Sequence, residues 1–599
     1  MCGIVGFNWK DETLLKGMLK VTRHRGPDDQ GTFLNKNISL GHNRLSIIDL
    51  SKNGKNPIWN ENKTICVLHN GEIYNFKELK KELGYDYQTQ SDSEVIIAAY
   101  LKWGVDFVQH LRGMFAIALL DNDTLYLFRD RLGKKPLFYL HNSSFVFASE
   151  IKALTPFLAK KELDDDALLS YLSFLAPTPP YTFYKGIKKL AAGEYLKLKN
   201  NQVEIKRYYD IHTPPNIITN ADEAISKLEE TLKESISLRL SSDVPMASLL
   251  SGGIDSATIN YYAKEFGKPL QTYTLGYKEF SKYDERDNAR ESAKLIGLNN
   301  KEIEIDEHQF INAMDSVLDS LDEPLNDPAS IPLYLLFGEI KKDGYKVVLS
   351  GEGSDELFLG YREYFEYLDI QKTQELAHKS WLKNYFRANY SQNREWEWYK
   401  RIFDDTLLFR TSGEKFTDLQ KNFLLKRNVK DNQSLKYLQP YRDRFDASEH
   451  TDESSWYSYI DLNLFQAEHF LTKLDRVSMA HSIESRTPFL DHKLVNTLFS
   501  LSPKLKYEDG VTKSLLKKIM QPHLDESILK RKKKGFSNPY MEYLVNSGKL
   551  ELIHEVNEQT GFFKRDKLDE YVQGASTGKF KQHVWGLYVL SYWIKKNLL

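Results

Sequence analysis

Short runs in which apolar and polar residues alternate, or in which several apolar residues stand together between Gly, Asn and Asp, fill the opening third of the chain. Ile65-Cys66-Val67-Leu68, Met114-Phe115-Ala116-Ile117-Ala118-Leu119, Leu125-Tyr126-Leu127-Phe128 and Ser144-Phe145-Val146-Phe147 predict strands. A helical period covers Phe76 to Leu83, so the stretch from Gly3 to about Tyr208 predicts a layered α+β unit. The text then turns polar and proline-bearing across Ile211-His212-Thr213-Pro214-Pro215-Asn216, and a helical period runs from Ala221 to about Leu240. The expected units are therefore 1–210 and 211–599. In the second, strand-like Met246 to Leu250, Thr272 to Leu275 and Lys346 to Leu349 alternate with helical Ser256 to Phe266 and Arg286 to Leu295. That alternation predicts an α/β doubly wound parallel sheet. From about Gln371 onward amphipathic helical text dominates, and a mainly helical last part is expected.

Composition narrows the function. A chain of 599 residues exceeds what one hydrophobic core supports. Its 82 basic and 83 acidic residues nearly cancel, so no global field favours nucleic acid or an anionic membrane. No apolar run approaches the roughly 18 residues that span a bilayer, and Met1-Cys2-Gly3-Ile4-Val5-Gly6 lacks the features of a secretory signal. Two cysteines, Cys2 and Cys66, make neither a disulfide framework nor a thiolate zinc site. A cytoplasmic protein with small-molecule substrates is expected, with no nucleic-acid or membrane partner.

Chemistry enters at two loops. Leu249-Leu250-Ser251-Gly252-Gly253-Ile254-Asp255-Ser256 carries a buried strand into a Gly-Gly turn and then a helix. Glycines let backbone N–H groups approach an anion, the serines add hydroxyl donors, and the helix presents its positive end. Lys346 to Leu349 leads into a second such loop, Ser350-Gly351-Glu352-Gly353-Ser354-Asp355-Glu356. Two loops of this kind in one parallel sheet share its carboxyl edge, where open α/β sheets bind ligands. Asp255 and Asp355 are then placed to share a Mg²⁺ ion on the pyrophosphate portion of ATP.

Ser-Gly-Gly-Ile-Asp-Ser resembles the pyrophosphate loop of the ATP pyrophosphatase superfamily, and with Ser-Gly-Glu-Gly-Ser-Asp-Glu it resembles the synthetase domain of glutamine-hydrolysing asparagine synthetases. The resemblance implies Leu250, Leu275 and Gly351 around the adenosine, with Ser350 at the same site. Around the phosphates it implies Ser251, Gly253, Asp255 and Ser256. It makes Glu352 the base that deprotonates ammonia. Within Arg531-Lys532-Lys533-Lys534-Gly535-Phe536 it puts Lys533 in the site as a cation for the α-phosphate. It also implies that the acidic and arginine side chains of Leu474-Asp475-Arg476 and of Ile483 to Asp491 frame the acceptor pocket, with helix-cap and ion-pair roles as equal alternatives. The chemistry needs ATP, because a carboxylate is a poor electrophile until adenylation gives it a leaving group.

Removal of Met1 would leave Cys2 with both a thiol and a free α-amine, whose pKa of about 7.7–8.0 suits a base. His24-Arg25-Gly26-Pro27-Asp28, Arg44 to Asp49 and Asn70-Gly71-Glu72-Ile73-Tyr74-Asn75 accompany it. The set resembles a class II glutamine amidotransferase domain of N-terminal nucleophile type. By that resemblance Arg44 binds the glutamine carboxylate, Glu72 and Asp92 hold its ammonium, and Asn70 with the Gly71 N–H forms the oxyanion hole. An enclosed ammonia path near Arg25 and Met114 and a homodimer are further implications. Cys66 reads as a small core residue. The function expected is ATP-dependent amidation of aspartate with ammonia from glutamine. Its alternatives are another carboxylate acceptor, such as a sugar acid or peptide carboxylate, or a non-catalytic glutamine- or nucleotide-binding regulator.

Overall fold

A computed structural model describes the chain except residues 213, 215, 390–393, 409–413, 431, 450–451, 509, 533–534 and 536, with only the backbone of residue 394. Lys533 thus lies outside the described residues. Twelve strands occupy the first unit: β1 Gly3–Phe7, β2 Asp29–Leu34, β3 Ser39–Arg44, β4 Ile58–Trp59, β5 Ile65–Ile73, β6 Gly113–Asp121, β7 Thr124–Arg129, β8 Phe138–His141, β9 Phe145–Ala148, β10 Ile187–Lys189, β11 Glu194–Lys199 and β12 Gln202–Arg207. They form two antiparallel sheets, ordered β10-β8-β9-β1-β3-β2 and β12-β11-β7-β6-β5-β4.

Side-chain alternation explains the stacking. Ala116, Ala118 and Leu120 of β6 join Ile4, Leu40 and Phe147 in a core between the sheets. Phe115, Ile117 and Leu119 point the other way and pack with Val95 and Ile96 of helix Glu94–Trp103. Both faces of β6 are buried, which is why its sequence is a continuous apolar run. Cys66 sits in the inter-sheet core, fully buried.

The second unit holds a five-stranded parallel sheet of β13 Met246–Leu249, β14 Gln271–Tyr277, β15 Asn300–Ile305, β16 Val347–Leu349 and β17 Glu484–Arg486, ordered β15-β14-β13-β16-β17. The chain winds from β13 through β14 to β15 on one side, then returns to β16 on the other. The strand order therefore reverses between β13 and β16, and the two glycine loops leave that crevice. The last part is mainly helical as expected, with the three-residue β17 too short to show a period in the sequence.

The acidic and arginine residues expected to frame the acceptor pocket turn instead to the first unit or to other buried charges. Asp475 receives two bonds from Arg25, at 2.8 and 3.0 Å. Arg476 reaches Glu150 at 2.9 Å, Glu484 holds the Met1 ammonium at 3.1 Å, and Arg486 reaches Glu72 at 3.2 Å. Asp491 joins Arg112 of the first unit and Arg239 of the second, at 2.9 and 3.0 Å. All these side chains are buried. Buried pairs add little net stability, yet breaking one costs about 3–5 kcal/mol, so the network fixes how the two units meet.

Candidate active sites

A cavity of about 450 Å³ opens at the carboxyl edge of β13 and β16. Leu250, Ser251, Gly253, Asp255, Ser256, Leu275, Ser350, Gly351, Glu352 and Asp355 all line it. The first loop turns sharply because Gly252 has a φ of +79° and a Cβ there would stand 2.6 Å from the Asn288 carbonyl carbon. Helix Ile254–Glu265 follows at once, with its amino end toward the cavity loop. Ser256 Oγ accepts from the Ser251 N–H at 3.2 Å, keeping the loop closed on itself.

Lys473, Lys513 and Lys517, which carried no expectation, line this cavity together with Arg531 and Lys532 of the basic run. Lys513 bridges Asp255 at 2.5 Å and Asp355 at 2.7 Å, and the two carboxylates outweigh burial to raise its affinity for a proton. Lys473 pairs with Asp327 at 2.9 Å and stands 3.8 Å from Glu352. Arg531 crosses the first loop, donating to the Asn288 carbonyl at 3.0 Å and to Ser292 Oγ at 2.9 Å. Asp255 and Asp355 present hard oxygens on neighbouring loops and already gather one positive charge, so the donor set fits Mg²⁺ on condition that Lys513 cedes or shares its place. Burial pushes Glu352 up to about 7 against the pull of Lys473, with weaker repulsion from each of Glu356, Asp327 and Asp355 adding to it. A carboxyl in that range exchanges protons readily at neutral pH.

The first unit holds a second, much tighter pocket of about 30 Å³. Cys2, Arg44, Gly71, Glu72 and Asp92 line it together with Met1, His42, His69 and Glu484. Asn70 stands beside them: its Oδ1 accepts from the Cys2 N–H at 2.9 Å, and its buried Nδ2 has no partner. Gly71 lies so close to β6 that a Cβ would stand 1.9 Å from the Met114 carbonyl oxygen. Arg44 is held by loop carbonyls, donating to Ser51 at 2.7 Å and also to Asp49. The Asp92 carboxylate accepts from the Ile73 N–H at 2.8 Å.

Electrostatics here is severe. Burial raises the Cys2 thiol above its ordinary value, opposed by the terminal ammonium, a Leu45 backbone bond and Arg44. Burial also raises Glu72 strongly, with Asp92 adding repulsion and Arg486 opposing it. Glu484 goes the other way, because the terminal ammonium and Arg486 overcome its burial.

Between the two sites lies a small void lined by Met114, Lys134, Lys135, Leu471, Leu474, Asp475, Ser485 and Thr487. Leu474 lines the large cavity as well. Arg25, whose Nε donates to the Cys2 carbonyl at 3.0 Å, closes the gap on the other side through Asp475. No helix among the described residues is long and apolar enough to cross a membrane.

A family model described as asparagine synthase matches residues 227–595, and one described as glutamine amidotransferase domain matches residues 1–209. The chain is 33% identical to asparagine synthetase (glutamine-hydrolyzing) 1 of Bacillus subtilis, over all of this chain and 97% of that protein. It is 29% identical to asparagine synthetase (glutamine-hydrolyzing) 3 of the same organism, covering 90% of this chain and 87% of that one. Amidase chry2 of Gibberella zeae is 28% identical, over 94% of this chain and 91% of that one.

Proposed function

The chain belongs to the asparagine synthase family, and on that premise we propose how its residues divide the work of a glutamine-dependent carbon–nitrogen ligase. It amidates aspartate to asparagine with ammonia from glutamine, using ATP as co-substrate and releasing AMP, pyrophosphate and glutamate. In this reading residues 1–210 are the amidotransferase unit and 211–599 the synthetase unit, acting in the cytoplasm as a homodimer.

After loss of Met1 the Cys2 α-amine takes the thiol proton as sulfur attacks the glutamine amide carbon. The same proton then goes to the departing ammonia, leaving a thioester that water hydrolyses to glutamate. The vacant Asn70 Nδ2 faces the developing oxyanion with the Gly71 N–H; each such donor is worth roughly 2.7–4 kcal/mol. Arg44 takes the substrate carboxylate, Glu72 and Asp92 its ammonium. Removing Met1 also enlarges a pocket of about 30 Å³, which as it stands is far smaller than glutamine. Ammonia passes by Met114 and Leu474 rather than through bulk water.

In the large cavity the aspartate side-chain carboxylate attacks the α-phosphorus of ATP, expelling pyrophosphate and forming an acyl adenylate. Loop donors from Ser251, Gly253 and Ser256 hold the phosphates. Mg²⁺ held by Asp255 and Asp355 would neutralise pyrophosphate charge. Lys513, Lys517, Arg531 and Lys532 are described cations of this cavity, and Lys533 keeps its proposed role toward the α-phosphate. Ammonia attacks the acyl carbon, Glu352 accepts its proton, and AMP leaves. Lys473 and Asp327 match the α-carboxylate and α-ammonium of an amino-acid acceptor.

One observation carries the reading: the residues expected around ATP line a single cavity whose wall also holds Glu352, Lys473 and Asp327. The test is MgATP and amide-labelled glutamine with and without aspartate. Labelled asparagine stoichiometric with pyrophosphate is expected; glutamine hydrolysis with no aspartate-dependent pyrophosphate would move the acceptor to another carboxylate. The amidase relative makes that second outcome worth measuring.

A further inference from the structure

Behind the glutamine pocket, in contact with its Glu72, stands a residue of the other unit. Arg486 is fully buried at the end of β17, and four of its five N–H donors are engaged. Nη2 meets Glu72 Oε2 at 3.2 Å and Nε meets Glu484 Oε1 at 2.7 Å. Nη1 donates to the carbonyls of Arg239 at 2.8 Å and Ser241 at 2.6 Å. The other oxygen of Glu72, Oε1, is buried with no partner, on a residue that lines the pocket.

The charged groups facing Glu72 are Asp92, Arg486, Glu484 and the chain-terminal ammonium. Two carboxylates and burial disfavour its ionisation; the fixed, directly bonded cation is Arg486. We infer that Arg486 is a positioning residue of the glutamine pocket, holding the Glu72 carboxyl through Oε2 with its unpartnered Oε1 toward the place of the substrate ammonium. This rests on the reading that the pocket binds glutamine. The backbone carbonyl of Arg486 accepts from the Ser350 N–H at 2.9 Å, so the residue that sets one site by its side chain braces the nucleotide loop by its backbone. A side-chain substitution leaves that second bond available, and synthesis from ammonia becomes the internal control.

Steady-state kinetics of the full-length protein test this. Arg486→Gln should raise the glutamine KM roughly thirtyfold at pH 7, because truncating one partner strands a buried charge. Synthesis from ammonia should stay within about threefold. The loss should fall on the glutamine KM rather than on the kcat of glutamine hydrolysis, whereas a merely structural loss would lower both. Arg486→Lys, which keeps the charge, should recover most of the affinity. A glutamine KM within threefold of the parent, or an equal loss in the kcat of glutamine hydrolysis, overturns the inference.

If Arg486→Gln fails to fold, the comparison moves to Glu72→Gln and the double variant Glu72→Gln/Arg486→Gln, which strands neither charge of the pair. The two should share one glutamine KM; a further tenfold rise in the double variant means that Arg486 does not act through Glu72. Failure of the underlying reading would look different, as absence of glutamine hydrolysis by the parent protein.

Discussion

The two cavities are built on opposite plans. The nucleotide cavity is open, about 450 Å³, and several of its charges are already matched: Lys513 with Asp255 and Asp355, Lys473 with Asp327. The glutamine pocket is about 30 Å³, draws its wall from both units, and leaves Asn70 Nδ2, Glu72 Oε1 and His69 Nε2 buried without partners. A buried polar group without a partner costs roughly 1–3 kcal/mol, which a substrate bearing the complementary group returns on binding. One site is thus preformed and exchanges internal pairs for ligand pairs; the other is incomplete until its substrate arrives. Selectivity should accordingly be sharper in the small pocket, where an analogue lacking the α-amine leaves Glu72 unanswered.

The largest expected effect separates the sites outright. Cys2→Ala should lower glutamine-dependent synthesis by on the order of 10³-fold or more while ammonia supports normal turnover. Equal loss with both donors would mean the pockets are not independent. Glu352→Gln should act on the other side, lowering synthesis from either donor by roughly 10²–10³-fold while glutamine hydrolysis continues. Retained ammonia-dependent turnover would remove its assigned role.

Lys513→Met leaves Asp255 and Asp355 facing each other without their cation. Thermal unfolding should register a loss of about 3 kcal/mol, by the cost of breaking a buried pair. Added Mg²⁺ should recover part of it if those carboxylates hold the metal; a melting curve indifferent to Mg²⁺ would argue against that assignment. The smallest effect is the pH profile. With Glu352 pushed up to about 7 and active as the base, turnover corrected for free ammonia should rise about tenfold between pH 6 and pH 8. The parent and Glu352→Gln profiles together would show whether this carboxyl is responsible.

How legible the molecule was in sequence follows the same division. The nucleotide loops could be read because each is continuous text, a strand leading directly into Gly-rich donors, and the parallel sheet then brings both to one edge. The large apolar runs of β5 and β6 were equally plain, since both their faces are buried. Lys513 could not be read in this way: it stands alone before a short helix, and the lysine run at 532–534 drew the assignment instead. Glu484 and Arg486 were visible as charges but not as partners of the glutamine pocket, because Arg486 meets Glu72 across 414 residues. No local period reports a contact of that range, and a strand of three residues has none to report.

β17 also bears on how such chains can be recombined. Glu484 lines the small pocket, Arg486 braces Glu72 from behind it, and the Arg486 carbonyl accepts from the Ser350 N–H, so β17 behaves as a shared part rather than a boundary. A chimera that joins this amidotransferase unit to a foreign ligase would keep Cys2, Asn70 and Glu72 yet forfeit Glu484 and Arg486. The sensible graft carries Glu484, Ser485 and Arg486 along with residues 1–210, although they lie far downstream in the gene.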